Sequence, residues 1–230
     1  VQFSGISTDD AAVNIFESSV KLENVTISNI SAGSLYGGRG IIISGGRSTV
    51  FLSGVNVKNT DGTGLLVNGV HNVTVDGSSF KDCGFAGIWV QNDGKKTGKL
   101  KITDSYFENN AAVAIEVLGQ SSIEITDSNV SGIQSREVAS NFVSDAIVVK
   151  NGIMSGDEKT VNIRNTALEG FERAGLILDA QDGGKVKGVV IEDLKIASIK
   201  GEFGMVVQNG VEPPDLRNGI TENPFTENDI

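Results

Sequence analysis

The chain has 230 residues, a formal net charge of −10 and a sequence pI of about 4.6. This acidic balance argues against a nucleic-acid partner, because phosphate groups bind basic surfaces. The one cysteine, Cys83, excludes an internal disulfide, and no apolar stretch reaches the ~20 residues of a membrane-spanning helix, so no membrane insertion is expected.

Along the chain, a four-residue phrase recurs eight times: a small residue, an apolar residue, any residue and an apolar residue. The phrases begin at Ala12, Gly40, Gly64, Gly87, Ala114, Ala146, Gly175 and Gly204. Successive phrases are 28, 24, 23, 27, 32, 29 and 29 residues apart. Repeats of this length are typical of a solenoid, in which each repeat forms one coil and successive coils stack.

A second pattern follows each of the first seven phrases. It consists of an apolar residue, any residue, an apolar residue, a polar residue, and then Asn, Asp or Gly, with a further apolar residue three positions later. The Asn, Asp or Gly residues are Asn24, Gly54, Gly77, Asp104, Asp127, Asn165 and Asp193. Alternation at period two predicts strands, and these residue types tolerate the left-handed backbone of a tight corner. Each repeat therefore predicts three short strands around a triangular coil.

Stacking of equivalent positions predicts the interior. One ladder comprises Ile41, Leu65, Ile88, Ile115, Ile147 and Leu176, and a second comprises Ile43, Val67, Val90, Val117, Val149 and Leu178. Phe80 and Phe107 occupy the same position in neighbouring repeats, so we expect their rings to stack.

With these repeats, the chain resembles the right-handed parallel β-helix of the pectate-lyase-like superfamily over nearly all of its length. The resemblance implies an all-β solenoid of about eight coils, with three short strands per coil, over residues 1–210, and a polar tail or C-terminal cap over residues 211–230. Val1 to Ile6 fit the second half of a repeat, so we expect a chain that begins inside a coil, as a fragment of a longer exported protein. The superfamily contains lyases, glycosidases and inert surface repeats, so the fold alone does not define a function.

Asn59-Thr60-Asp61 resembles the first motif of polygalacturonase-type glycosidases, and Lys81-Asp82 lies where that family has a pair of aspartates. The resemblance implies Asp61 and Asp82 as catalytic acid and base on either side of a glycosidic bond. The rest of the pattern is missing: a lysine replaces one aspartate, and the only histidine, His71, precedes Asp82 rather than following it. Because Asn and Asp are also corner residues, the sequence favours a structural role for both motifs.

Asp104 and Asp127 are equivalent corner residues, so they should lie about 4.8 Å apart on adjacent coils. Pectate lyases hold calcium with an acidic cluster, and the resemblance therefore implies Ca²⁺ as the cation that this pair would bind. The favoured alternative is that each carboxylate bonds its own backbone at the corner, with no cofactor. His71 lies in a turn without a second histidine, and we expect it to be solvated.

The outward residue of the first strand is large and apolar in six of the eight phrases: Ile42, Leu66, Trp89, Val148, Ile177 and Val206. We call these six residues the outer stripe and predict that they form a binding surface, because exposed apolar patches usually mark contacts. Three kinds of cover remain open: the chain's own inserts, of which Ile133 to Asp145 is the longest, a second copy of the chain, or a ligand.

The sequence favours a non-catalytic secreted or cell-surface segment that acts as a structural spacer or adhesin-like scaffold. Its partner would be a protein or a polysaccharide, or a second copy that forms a homo-oligomer through the outer stripe. The alternative function is a polysaccharide-acting enzyme, a hydrolase or lyase of the pectin or alginate type.

Overall fold

The computed structural model describes residues 1–33, 37–69, 71–91, 98–119, 121–133, 144–150, 161–180, 186–197 and 203–221. The regular elements of these residues are all strands, which are numbered β1 to β22 in chain order. No helix in this part of the chain is long and apolar enough to span a membrane. The predicted all-β parallel solenoid is confirmed.

The first sheet contains eight parallel strands, one for each repeated phrase. In order across the sheet they are β2 (Ala11–Phe16), β5 (Arg39–Ser44), β8 (Leu65–Asn68), β11 (Ala86–Gln91), β14 (Val113–Leu118), β17 (Asp145–Lys150), β19 (Ala174–Asp179) and β21 (Phe203–Gln208). Each strand pairs with its equivalent one turn away, because the phrase has the same length and alternation in every repeat.

The other two sides of the solenoid belong to one 14-stranded sheet. The second side contains β3 (Val20–Glu23), β6 (Thr49–Ser53), β9 (Asn72–Asp76), β12 (Gly98–Thr103) and β15 (Ser121–Thr126). The third side contains β1 (Gln2–Ser7), β4 (Thr26–Ser31), β7 (Asn56–Thr60), β10 (Ser79–Cys83), β13 (Tyr106–Glu108) and β16 (Asn129–Ser131). Among the described residues, five turns therefore have three separate strands.

In the last turns, single strands run along both the second and the third sides. They are β18 (Val161–Glu169), β20 (Val189–Ala197) and β22 (Asp215–Thr221). β18 pairs with both β15 and β16, which joins the two sides into one sheet. β22 pairs with β20, so the region predicted as a tail or cap contributes a strand to the solenoid.

The predicted corners between the second and third sides are confirmed at the backbone. All seven corner residues have left-handed φ angles, from 43° at Asn165 to 61° at Gly54. Asn, Asp and Gly reach this conformation at the lowest cost, because larger side chains meet the following carbonyl oxygen. The bend at Asn165 lies within β18 and leaves the residues on both sides of it paired.

A second left-handed ladder, which the sequence did not predict, follows the third side. It consists of Gly5, Asn29, Asn59, Asp82, Asn109, Gly132 and Gly170, with φ between 53° and 67°. Side-chain amides connect its rungs: Asn59 Nδ2 donates to Asn29 Oδ1 at 3.2 Å. We call this set the third-side ladder.

Both predicted interior ladders are confirmed. Residues of the first ladder are 0% exposed, and those of the second are at most 4% exposed. The rings of Phe80 and Phe107 stack with centroids 5.4 Å apart and an interplanar angle of 10°. Because every interior side chain packs on its equivalents one turn away, the core is continuous along the solenoid.

The small residue that opens each phrase lies where the backbone of the next turn approaches closely. A Cβ atom built on Gly64 would lie 2.7 Å from the carbonyl oxygen of Gly87 and 2.8 Å from Phe80 Cδ1. Gly40 and Gly175 face equivalent carbonyl oxygens at 2.6 and 2.8 Å. This contact explains why the phrase begins with Gly at these three positions.

Successive turns are linked by three buried serines at the corners between the second and third sides. These serines are Ser78, Ser105 and Ser128, and we call them the hydroxyl ladder. The N–H groups of Val55, Ser78 and Ser105 donate to the Oγ atoms of Ser78, Ser105 and Ser128 at 3.0, 3.3 and 3.2 Å. Each hydroxyl donates in turn to the carbonyl two residues earlier, at 2.9, 2.7 and 2.8 Å. The ladder therefore satisfies buried N–H groups where the chain bends.

Candidate functional site

Asp61 and Asp82, the residues implied as acid and base, lie on adjacent turns at the corner that leads into the first sheet. Thr60 pairs with Cys83, so each aspartate sits one residue from that pair. The Asp61 side chain is exposed, and its Oδ2 accepts from the N–H of Ala32 at 2.9 Å. Asp82 is a member of the third-side ladder, with φ of 53°. Both residues therefore have a structural part in their turns.

Asp104 and Asp127 occupy equivalent corner positions, because the strands that precede them pair at Thr103 and Thr126. Both side chains are exposed. Asp127 Oδ1 accepts from Asn165 Nδ2 at 2.5 Å, so one oxygen of the predicted cation pair bonds to the corner residue of the next turn. In the described ranges, no group of three or more His, Cys, Asp or Glu side chains could hold a metal ion.

The outer stripe is largely buried within the single chain. Ile42, Leu66, Val148 and Ile177 are 8%, 7%, 2% and 5% exposed, and Trp89 and Val206 are half-buried. Part of the stripe belongs to a second hydrophobic cluster, separate from the interior core. Its members are Phe85, Ala86, Ala112, Val113, Val148, Ala174 and Ile177, with Trp89, Phe203 and Val206 packed against them. Most of the insert between Ile133 and Asp145 lies outside the described residues.

Trp89, the only tryptophan, is the largest side chain of the stripe. Its ring packs on Phe85 with centroids 4.9 Å apart and an interplanar angle of 56°. The indole Nε1 is buried and has no hydrogen-bond partner within the described segments. A buried donor of this kind costs free energy, so this side chain is held by apolar packing rather than by a hydrogen bond.

Sequence reasoning missed a group of charged side chains on the same outer face. They are Glu116, Asp145, Lys150, Arg173 and Asp179, and we call them the charged band. Register places Glu116 between Trp89 and Val148. Glu116 is an outward residue of β14, Asp145 is the first residue of β17, and Arg173 directly precedes β19. Only the pairing of turns brings these residues together, because they are far apart in the sequence.

Glu116 carries the perturbed carboxyl of the band. Its Oε1 lies 3.5 Å from Lys150 Nζ, and the two side chains are 15% and 31% exposed. Burial raises the pKa of Glu116 above its ordinary value; the Lys150 ammonium lowers this pKa in part, and the charge of Asp145 raises it further. The raised pKa favours the protonated form of this carboxyl group relative to a solvated glutamate.

Asp145 and Asp179 are buried carboxylates with several partners. Asp145 accepts from Arg173 Nε at 2.9 Å and Nη2 at 2.5 Å, and from the N–H of Ala174 at 3.2 Å. Asp179 accepts from the side-chain amides of Gln208 and Asn209, both at 2.8 Å. Carboxylates with this many donors stabilise their own region, which distinguishes them from the less satisfied Glu116.

The expectation that His71 is solvated is wrong, because the side chain is 3% exposed. Its Nδ1 accepts from the N–H of Ser48 at 3.1 Å, and Nε2 lies 3.1 Å from the carbonyl oxygen of Asn68. The turn packs its histidine between coils instead of presenting it to water. No metal-ligand or triad partner enters this arrangement among the described contacts.

A model of the right-handed β-helix region matches residues 4–97 and 87–230. The chain belongs to the right-handed β-helix family. No match was found among curated proteins, nor among solved structures. Membership of this family explains the turns and ladders, whereas a specific function depends on the side chains that the turns carry.

Proposed function

We propose that this right-handed β-helix is a non-catalytic scaffold, a spacer or adhesin-like segment that binds a protein or a polysaccharide at the cell surface or after secretion. The binding face is the part of the outer side of the first sheet that stays partly exposed, at Trp89, Glu116 and Lys150. A rigid stack of turns suits this role, because it presents side chains at fixed spacing without rearrangement on binding.

The observation that carries the proposal is the position of the carboxylates implied as catalytic or cation-binding. Asp61 bonds to the backbone of another turn, Asp127 bonds to Asn165, and Asp82 holds a left-handed corner. These contacts account for the residues through the architecture of the solenoid. By contrast, half-buried Trp89 combines apolar area with the charges of Glu116, its partner in the next strand, and of Lys150, as binding surfaces commonly do.

Incubation with polygalacturonate and alginate, followed by assays for reducing ends and unsaturated uronates, tests the scaffold proposal. We expect no turnover. Asp61→Asn and Asp82→Asn are suitable variants, because Asn can keep the acceptor at Asp61 and matches Asn59 and Asn109 beside Asp82 in its ladder. Turnover that either variant abolishes would establish the enzyme alternative and contradict the proposal.

Binding is measured through the fluorescence of Trp89, which is a unique reporter on the proposed face. We expect a partner to change this emission and Lys150→Gln to weaken binding. Lys101→Gln is the matched control, since the Lys101–Glu124 pair lies on the second side at 3.0 Å. If both variants weakened binding equally, the partner would not bind specifically at the proposed face. Light scattering tests whether the chain forms a homo-oligomer, because a monomer has a mass of 24.1 kDa and an oligomer a multiple of it.

A polysaccharide-acting enzyme is the second candidate, and Glu116 is the observation that favours it. The half-buried carboxyl of Glu116 lies beside Trp89 and has a raised pKa, which makes it the candidate for a general acid. For this candidate, we expect Glu116→Gln to abolish turnover while Asp82→Asn retains it. Full activity of Glu116→Gln would show that the Glu116 carboxyl group takes no part in catalysis.

A further inference from the structure

We propose that His71 is an acid-sensitive clasp, which locks the corner between the first and second sides of the solenoid and releases it when the imidazole takes up a proton. This inference goes beyond the scaffold role and does not depend on it. The clasp connects the end of β8 to the start of β9 and reaches the turn on each side.

The hydrogen bonds of His71 define a neutral imidazole. A carbonyl oxygen can only accept, so Nε2 carries the proton that points to Asn68. Nδ1 must then be the acceptor for the N–H of Ser48, which belongs to the preceding turn. Both ring nitrogens are therefore engaged in one tautomer, and the ring is buried.

The backbone around the ring ties three turns together. The N–H of Asn72 donates to the carbonyl of Ser48, and the N–H of Lys99 donates to the carbonyl of His71, both at 2.9 Å. A Cβ atom on Gly98 would lie 2.7 Å from the carbonyl oxygen of His71, so the third turn packs directly on this residue. Loosening His71 would consequently affect the corner in all three turns.

Protonation has a specific consequence at this site. A proton on Nδ1 would oppose the N–H of Ser48, and two donors cannot share a hydrogen bond. The Oγ atom of Ser48 is buried and has no hydrogen-bond partner among the residues that the structure describes. Ser48 therefore offers the protonated ring an alternative acceptor once its backbone N–H has moved away. The corner therefore has one arrangement for each protonation state.

The surroundings of His71 disfavour its charged form. Burial lowers its pKa from 6.5, and the Asn68 carbonyl offsets this only in part. The charged residues at the equivalent corners of the described segments are Arg47 on the preceding turn, Glu17 one turn further back and Lys99 on the following turn, and all three are exposed. Stability from the neutral ring is complete above pH 6.5 and is lost as pH falls through 6.5 toward the lower pKa of the closed corner.

The test uses the intact chain, in which His71 gives the only histidine signal in NMR. We expect a neutral Nε2–H tautomer at pH 7.5, and amide exchange of Ser48, Asn72 and Lys99, corrected for intrinsic rates, that rises up to about tenfold per pH unit below 6.5. A histidine that titrates at or above 6.5, or amide exchange that does not change with pH, would overturn the proposal.

Two variants separate the clasp from general acid effects. In His71→Asn, the side-chain oxygen can replace Nδ1 as acceptor but does not titrate, so the extra exchange at low pH should disappear. Ser48→Ala removes an acceptor that only the released, protonated arrangement can use, so exchange at low pH should fall below that of the original chain. The same pH dependence in His71→Asn as in the original chain would refute the role of the ring, and the wild-type measurement stands even if a variant fails to fold.

Discussion

At the scale of single residues, the hydroxyl ladder shows how a side chain replaces a sheet hydrogen bond at a corner. Ser105 accepts from the N–H of Ser78 and donates to the carbonyl of Thr103. In Ser105→Ala, the buried N–H of Ser78 loses this acceptor, and we expect the free energy of unfolding to fall by about 1–3 kcal/mol. Urea denaturation measures the change. Ser53→Ala, at an outward position of β6, is the control and should change stability by less than about 0.5 kcal/mol.

Asp82 gives a second prediction at this scale, because its left-handed backbone limits the residues it can accommodate. Asp82→Val should cost about 1–2 kcal/mol, since a β-branched residue is strained at positive φ. Asp82→Asn should be nearly neutral, as Asn59 and Asn109 have the same conformation on the turns before and after. Thermal unfolding of the two variants checks the difference, and equal losses would show that the carboxylate, not the backbone, is what matters.

The corners between the second and third sides could be predicted from individual residues, whereas the third-side ladder could not. Asn24 or Asp104 interrupts an alternating pattern, and that interruption is visible in the sequence. Asp82 lies within a strand that stays paired on both sides of it, so nothing marks it as a corner. Its neighbourhood instead resembled a catalytic motif, because corners and acid–base sites use the same residue types.

At the scale of strands and turns, the glycine that opens a phrase sets how closely neighbouring turns approach. In Gly64→Ala the new Cβ would meet the Gly87 carbonyl oxygen at 2.7 Å, and backbone cannot yield as a flexible side chain can. We expect a loss of about 1–3 kcal/mol in unfolding free energy. The equivalent Ala114→Gly creates no clash and should cost about 0.5–1 kcal/mol. A stabilising Gly64→Ala would contradict the steric explanation.

The strands of the first sheet were predictable, because each phrase carries its own alternation. The continuous strands β18, β20 and β22 were not, since their separation into two sides depends on pairing that only the neighbouring turns define. The charged band was missed for the same reason. Asp145 and Arg173 are 28 residues apart, and the sequence around each residue contains no pattern that predicts their contact.

At the scale of the whole molecule, stability depends on contacts between neighbouring turns, so a central position should matter more than a terminal one. Ile115 is 0% exposed in the middle of the stack, whereas Ile6 in β1 is half-buried in the first turn. We expect Ile115→Ala to lower the free energy of unfolding by about 2–5 kcal/mol and Ile6→Ala by less than half as much. Equal losses in urea denaturation would argue against a core built turn by turn.

The parallel register of the first sheet also places equivalent residues of successive turns at regular distances along the solenoid. Neighbouring strands are separated by about 4.8 Å, so the seven steps from β2 to β21 cover roughly 34 Å. Duplicating one internal repeat would lengthen this distance by a single step and leave every other rung in place. Distances between labels on β5 and β19 could thus be tuned in increments smaller than the width of a helix.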